Sequence, residues 1–232
     1  MVGAALWRTQ QSPPLEPSAL EAYIKHLTYS ERACYTRGML GRDNLEGALR
    51  ALGDVLDDRG LSARILVAGG SSLLLLALID RVTADVDVIG FASGERYVKA
   101  EEIPPALASA VRDVGAALGL GDGWLNNGPA SLFDFGLPVG FEARVSVRRY
   151  GGLEVHIPGR VDLLAFKLYA AVDQFGSRDS KQMADLRALE PTPEELLTAA
   201  RWTRTHDPSE GYQGELIKAL ASLGVEASDA DL

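Results

Sequence analysis

Residues 68–88 read AGGSSLLLLALIDRVTADVDV and follow the run ARILV at 63–67. The β-branched run that ends in glycines is predicted as a strand, the serines and leucines through Val82 as a helix, and ADVDVIGF at 84–91 as a second strand. The order is strand, helix, strand. Because that helix is apolar on nearly every side, it must be buried. Alternation along the second strand sends Asp85 and Asp87 to one face and Val86 and Val88 to the other. Two carboxylates side by side suit a hard divalent cation, and a pair of such ions clamps the attacking and leaving oxygens of a phosphoryl transfer. Gly69 and Gly70 allow close approach of the backbone to a ligand, and Ser71 is a candidate cap for the helix, whose free N–H groups suit a phosphate. A glycine turn followed by two solvated acids reads equally well from this spacing alone.

The rest of the chain extends this unit. Residues 13–17 carry three prolines, and residues 18–40 read as one or two helices. The stretch DNLEGALRALGDVLDDRG has apolar residues at helical spacing, with Asp43 as N-cap candidate and Gly60 as the stop. An acidic connector over 94–102 leads to a helix over 106–118 that Gly119 closes, and DGWLNNGPASLFDFGLP reads as loop. FEARVSVRRY and GLEVHIP alternate on either side of Gly151 and Gly152, which predicts a hairpin. From Val161 onward the period is helical, with Thr192 and Pro193 as a cap and first-turn pair. The fold expected is α/β of the α+β kind, a small mixed sheet flanked by helices over 1–160, followed by an all-helical part over 161–232.

Composition limits the function. The chain has 23 Lys plus Arg against 32 Asp plus Glu, a net charge of -9, which opposes non-specific adhesion to nucleic acid. Arg144, Arg148, Arg149, His156 and Arg160 form the one dense basic patch, read either as an acceptor track or as a solvated strand edge. A single cysteine, Cys34, permits no internal disulfide and points to a reducing, cytoplasmic compartment. The N-terminal stretch lacks the pattern of a signal peptide, and the longest apolar run is far short of a membrane span. His156 reads as a polar surface residue, and Trp124 as packing or as a base-stacking ring.

The segment V-A-G-G-S-S followed by D-V-D-V resembles the signature of the polymerase-β-like nucleotidyltransferase superfamily. P-G-R-V-D-L-L-A-F-K-L-Y-A-A, with K-Q-M-A-D-L downstream, is similar to its bacterial abortive-infection and toxin-antitoxin members. The resemblance implies a minimal nucleotidyltransferase fold in which Gly69, Gly70, Ser71 and Ser72 hold a nucleoside triphosphate and Asp85 and Asp87 bind Mg²⁺ or Mn²⁺. It also places Lys167 and Asp185 in the active site. The residues agree in one respect: Lys167 lies in LLAFKLYAA, where a buried ammonium needs an anion, although a lysine reaching the surface fits as well. For Asp185 the local alternative is a pair with Lys181 four residues before it.

The expected activity is transfer of a nucleoside monophosphate from the triphosphate to a hydroxyl acceptor. The resemblance implies RNA, such as a tRNA 3′ end, or a protein as acceptor, with a cognate antitoxin or toxin as partner; Arg144, Arg148, Arg149 and Arg160 are the candidate RNA contacts. Many catalytic members carry a third carboxylate, for which Glu142 and Glu154, both placed on strands, are the candidates. The lack of an obvious third acid keeps open a second class of function, a non-catalytic antitoxin-like or regulatory module.

Overall fold

A computed structural model describes residues 38–134, 136–173 and 181–232; the proline-bearing arm, Cys34 and most of the helix expected over 18–40 lie outside them. Helix α1 (Arg42–Asp58) buries Leu45, Ala48, Leu49, Leu52, Val55 and Leu56 along one stripe. Gly41, not Asp43, is its N-cap, and Asp43 sits in the first turn. Gly60, at φ +63°, ends it as expected: the Leu61 amide donates to Leu56 O at 2.8 Å and the Gly60 amide to Asp57 O at 2.9 Å.

Strand β1 (Ala63–Ala68), helix α2 (Gly69–Leu75) and strand β2 (Val86–Ser93) give the expected order. Helix α2 is shorter than the apolar run predicts. Ala77 adopts φ +59°, the Leu78 amide bonds Leu73 O at 2.9 Å, and the Ala77 amide bonds Leu74 O at 3.0 Å. Such a closure normally uses glycine, so no sequence signal marks it. The last carbonyls are covered from outside, Leu74 O by Arg42 Nε at 3.1 Å and Leu75 O by Arg148 Nη2.

The sheet is six-stranded, open and mostly antiparallel. Strand β3 (Arg96–Lys99) pairs antiparallel with β2, and after helix α3 (Pro105–Leu118) strand β4 (Leu125–Asn126) pairs parallel with β2. β3 replaces part of the expected acidic connector. It is a charged edge strand reached through a two-residue turn at Gly94 and Glu95, so its composition resembles a loop. The expected loop over 122–138 likewise holds β4 and a 3₁₀ helix at Gly128–Phe133.

Strand β5 (Ser146–Tyr150) and strand β6 (Leu153–Ile157) form the predicted hairpin, with Gly151 at φ +51°. Residues Phe141–Arg144 are 3₁₀ rather than strand. β6 pairs parallel with β1 and completes the order β3-β2-β1-β6-β5.

Helices α4 (Arg160–Asp173), α5 (Lys181–Ala188), α6 (Pro193–His206) and α7 (Glu210–Ser222) form the all-helical part. Thr192 caps α6, with Glu195 returning a bond to the Thr192 amide at 2.9 Å. Leu163, Leu164, Phe166 and Leu168 of α4 belong to the same apolar cluster as Ile65, Val67, Val86 and Val88 of the sheet. The helical part therefore packs on the sheet core. Among the described residues no helix is long and apolar enough to cross a membrane.

Ala77 identifies a site where backbone conformation alone can be tested. Relieving a left-handed alanine is worth ~1–2 kcal/mol, less ~0.5–1 kcal/mol for the added freedom of glycine in the unfolded chain. Ala77→Gly should therefore stabilise the protein by about 0.5–1 kcal/mol, read as a higher denaturant midpoint at unchanged slope.

Candidate functional site

The turn from β1 into α2 and the start of β2 meet at one cavity. Its lining includes Gly69, Gly70, Asp85 and Asp87 together with Arg81, Lys167 and Lys181. Pairing of Ala68 with Asp87 fixes the turn beside the second carboxylate. Val86 and Val88 are fully buried while Asp85 and Asp87 are part-buried, so the expected alternation of burial is present, although β2 begins at Val86 and Asp85 is the residue just before it rather than on the strand.

Gly69 is required by its own neighbour. Its φ is +70°, and a Cβ there would overlap Asp87 Oδ2. A Cβ on Gly70 would stand 3.1 Å from Thr83 Oγ1 and 3.2 Å from Arg81 Nη2. The two glycines thus let an acid and a guanidinium close on the turn. Ser71 and Ser72 are completely buried and do not line the cavity. Helix α2 begins at Gly69 with Ala68 as N-cap, so Ser71 is not the cap; its hydroxyl donates to Ala68 O at 3.2 Å. Among the described residues the Ser72 hydroxyl has no hydrogen-bond partner.

Lys167 and Asp185 come together from α4 and α5. Lys167 is 5% exposed, which excludes the surface-reaching alternative, and Asp185 is 1% exposed. Lys167 Nζ lies 2.7 Å from Asp185 Oδ2 and donates to Gln182 Oε1 at 2.8 Å. Asp185 does not use Lys181. Its second partner is Arg81, whose Nε and Nη2 donate to Oδ1 and Oδ2, each at 2.6 Å. Sequence reasoning missed Arg81, although it stands four residues before Asp85; nothing local shows that the loop folds back onto α5.

Charge explains the protonation preferences. Burial, then the neighbouring Asp85, raises the Asp87 pKa to about 6, against the pull of Lys167 and Lys181. Burial lowers the Lys167 pKa, and Asp185 opposes that shift. Burial also acts to raise the Asp185 pKa, but its bonds to Arg81 and Lys167 prevail and hold it below the usual carboxylate value. Two close oxygens of which one is reluctant to ionise suit a hard cation, which would replace the proton. Among the described residues no group of three or more His, Cys, Asp or Glu side chains is placed to hold a metal.

Neither candidate for a third carboxylate lines this cavity. Glu142 is exposed in the 3₁₀ turn, not on a strand. Glu154 is on β6 but accepts from Arg64 at 3.0 Å and from Arg149 at 3.1 Å.

The basic patch is also divided. Arg144 forks onto buried Asp162 at 2.5 and 2.9 Å, Arg148 bonds Glu46 and caps α2, and Arg149 bonds Glu154. Arg160 bonds Glu195 at 2.6 Å and Leu189 O at 2.5 Å, joining the end of α5 to the start of α6. Each arginine of the expected acceptor track has a structural partner. His156 is buried rather than on the surface, with Nδ1 2.9 Å from the Tyr97 hydroxyl. Trp124 is buried and donates to Val111 O at 2.9 Å, so it serves packing.

The raised Asp87 pKa has a pH signature in protein stripped of divalent ions. A carboxyl whose folded pKa exceeds its unfolded value destabilises the fold once ionised: the cost is absent below about 3.8, grows up to about 6 and is complete above that. Asp87→Asn should therefore raise stability by roughly 1–2 kcal/mol at pH 7.5 and have little effect near pH 3.5. Thermal melts at the two pH values check this.

No protein-family model matches the sequence, and no curated protein or solved structure matches it either.

Proposed function

We propose that this protein is a divalent-cation-dependent nucleotidyltransferase that moves a nucleoside monophosphate from a nucleoside triphosphate to a hydroxyl acceptor, releasing pyrophosphate. The carrying observation is that the carboxylates of Asp85 and Asp87 and the cations of Arg81, Lys167 and Lys181 line one cavity. A ligand that is itself a cation bound to a polyphosphate matches both sets of charges. Asp85 and Asp87 would hold Mg²⁺ or Mn²⁺, which when bound supplies charge neutralisation at the phosphates. Lys167 stabilises negative charge that develops as the bond to pyrophosphate breaks. The glycine turn lets Asp87 and Arg81 close onto the backbone at the cavity, which sets an acid and a cation beside the place proposed for the phosphates.

The acceptor hydroxyl belongs to RNA, such as a tRNA 3′ end, or to a protein, and the setting is a toxin-antitoxin or phage-defence pair. The resemblance of the GGSS and DVDV segments supports this choice. Arg144, Arg148 and Arg160 are tied across the fold to carboxylates, whereas Arg149 is exposed, bonds Glu154 through Nε alone and keeps its terminal nitrogens for an RNA phosphate. One observation favours a second reading: neither candidate third carboxylate lines the cavity, which fits a regulatory module that binds nucleotide without turning it over.

Incubation with each α-labelled nucleoside triphosphate, Mg²⁺, total RNA and protein extract separates the two. Labelled acceptor is expected, and Asp85→Ala should lower the labelling rate by about 100-fold or more, the scale of losing a metal-held charge. Label that persists in Asp85→Ala removes this site from the reaction. Thermal stabilisation by Mg²⁺ and nucleotide, with no labelled product in either extract, selects the regulatory module.

A further inference from the structure

The loop between α2 and β2 brings Arg81 into the cavity, and the loop is held at two points. Leu40 and Thr83 exchange backbone bonds, the Leu40 amide to Thr83 O at 2.6 Å and the Thr83 amide to Leu40 O at 2.9 Å. At the other point Arg81 forks onto Asp185. Asp185 is buried and is not among the cavity-lining residues, whereas Arg81 and Lys167 are. One buried carboxylate therefore orients two cations toward one space, and the three groups together carry a net positive charge.

Donor capacity remains on both cations. A guanidinium has about five N–H donors and an ammonium three. Arg81 uses Nε and one hydrogen of Nη2 on Asp185 and one of Nη1 on Val82 O at 3.0 Å, which leaves one hydrogen on each terminal nitrogen. Lys167 uses two, on Asp185 and Gln182, and keeps one. Gly70 lies directly against the Arg81 terminal nitrogens, so an anion beside the glycine turn is within their reach.

We infer that Arg81 is a binding residue for the polyphosphate of the ligand, and that Asp185 is a positioning residue that never touches the ligand but sets Arg81 and Lys167 in register. This rests on the nucleotide reading of the site. It changes the role expected of Asp185 from catalysis to orientation. Arg81 keeps its fork on Asp185 while its outward hydrogens meet phosphate oxygens, so binding needs no rearrangement of the buried pair.

The test uses inorganic tripolyphosphate and, separately, Mg²⁺ with a nucleoside triphosphate, both titrated calorimetrically into the full chain. Arg81→Ala should weaken tripolyphosphate at least 10-fold, and Arg81→Lys, which keeps a cation for Asp185 but loses the fork, about 3- to 10-fold; melts verify that each variant is folded. Asp185→Asn addresses positioning through the pH profile. The Lys167 ammonium faces Asp185, Arg81, Asp87 and Gln182, and Asp185 supports its charge against burial. Removing that support should move the alkaline loss of tripolyphosphate binding to lower pH, and Asp185→Glu should restore it. Wild-type affinity in folded Arg81→Lys, or an unmoved pH profile in Asp185→Asn, overturns the inference while nucleotide binding by the wild type leaves the site reading standing. A wild type that binds neither tripolyphosphate nor nucleotide overturns both.

Discussion

The buried carboxylate of Asp185 joins three parts of the chain that are remote in sequence: the loop carrying Arg81, helix α4 carrying Lys167, and helix α5, to which Asp185 and Gln182 belong. A carboxylate so far from water cannot stay ionised without partners, and losing one from such a pair costs ~3–5 kcal/mol in proteins generally. The two cations are therefore not replaceable decoration. They fix the loop that enters Asp85, and they fix the face of α4 that looks toward the sheet. The cavity between carboxylates and cations is a consequence of that anchoring, since the loop and the helix can hold no other spacing while both satisfy Asp185.

Steric closeness does the same work at the glycine turn. Gly69 leaves the space that Asp87 fills, and Gly70 leaves the space above which Arg81 and Thr83 stand. The turn is thus shaped by side chains of the site as much as by any ligand. This accounts for two glycines where one would end a strand, and for serines that are buried rather than turned toward the cavity. Helix α2 is short for a related reason. Its last carbonyls are claimed by Arg42 and Arg148, so the chain leaves the helix at Ala77 and returns antiparallel to β1.

A net charge of -9 conceals how the arginines are used. Arg144, Arg148 and Arg160 each reach across the fold to a carboxylate, and Arg148 and Arg160 also accept the task of covering helix-end carbonyls. Charge density in a sequence does not separate a binding surface from a set of internal ties. Here the ties account for Arg144, Arg148 and Arg160, while Arg149 is exposed and bonds Glu154 through Nε alone; Arg81 and Lys167, which line the cavity, lie elsewhere.

Much of the fold was legible in the residues. The stripe of α1, the glycine stop at Gly60, the alternating burial from Asp85 to Val88, the hairpin at Gly151 and Gly152 and the Thr192 cap of α6 all depend on neighbours within a few positions, which is the range over which periodicity and turn chemistry act. The lysine in LLAFKLYAA signalled a buried cation for the same reason. Strand β3 was not legible because its charged edge composition resembles a loop, although its partner is the adjacent β2. The end of α2 at a non-glycine residue and the 3₁₀ turn at Phe141–Arg144 were not legible because their partners, Arg42 and Arg148 at the one and Asp162 at the other, are distant in the chain. Sequence by itself determined which residues could form a carboxylate pair beside a glycine turn. Only the tertiary structure decided that Arg81 joins the cavity, that Glu142 and Glu154 stand outside it, and that the arginines of the basic patch pair with carboxylates. A side chain's charge is written in the sequence, but its partner is chosen by which elements pack together.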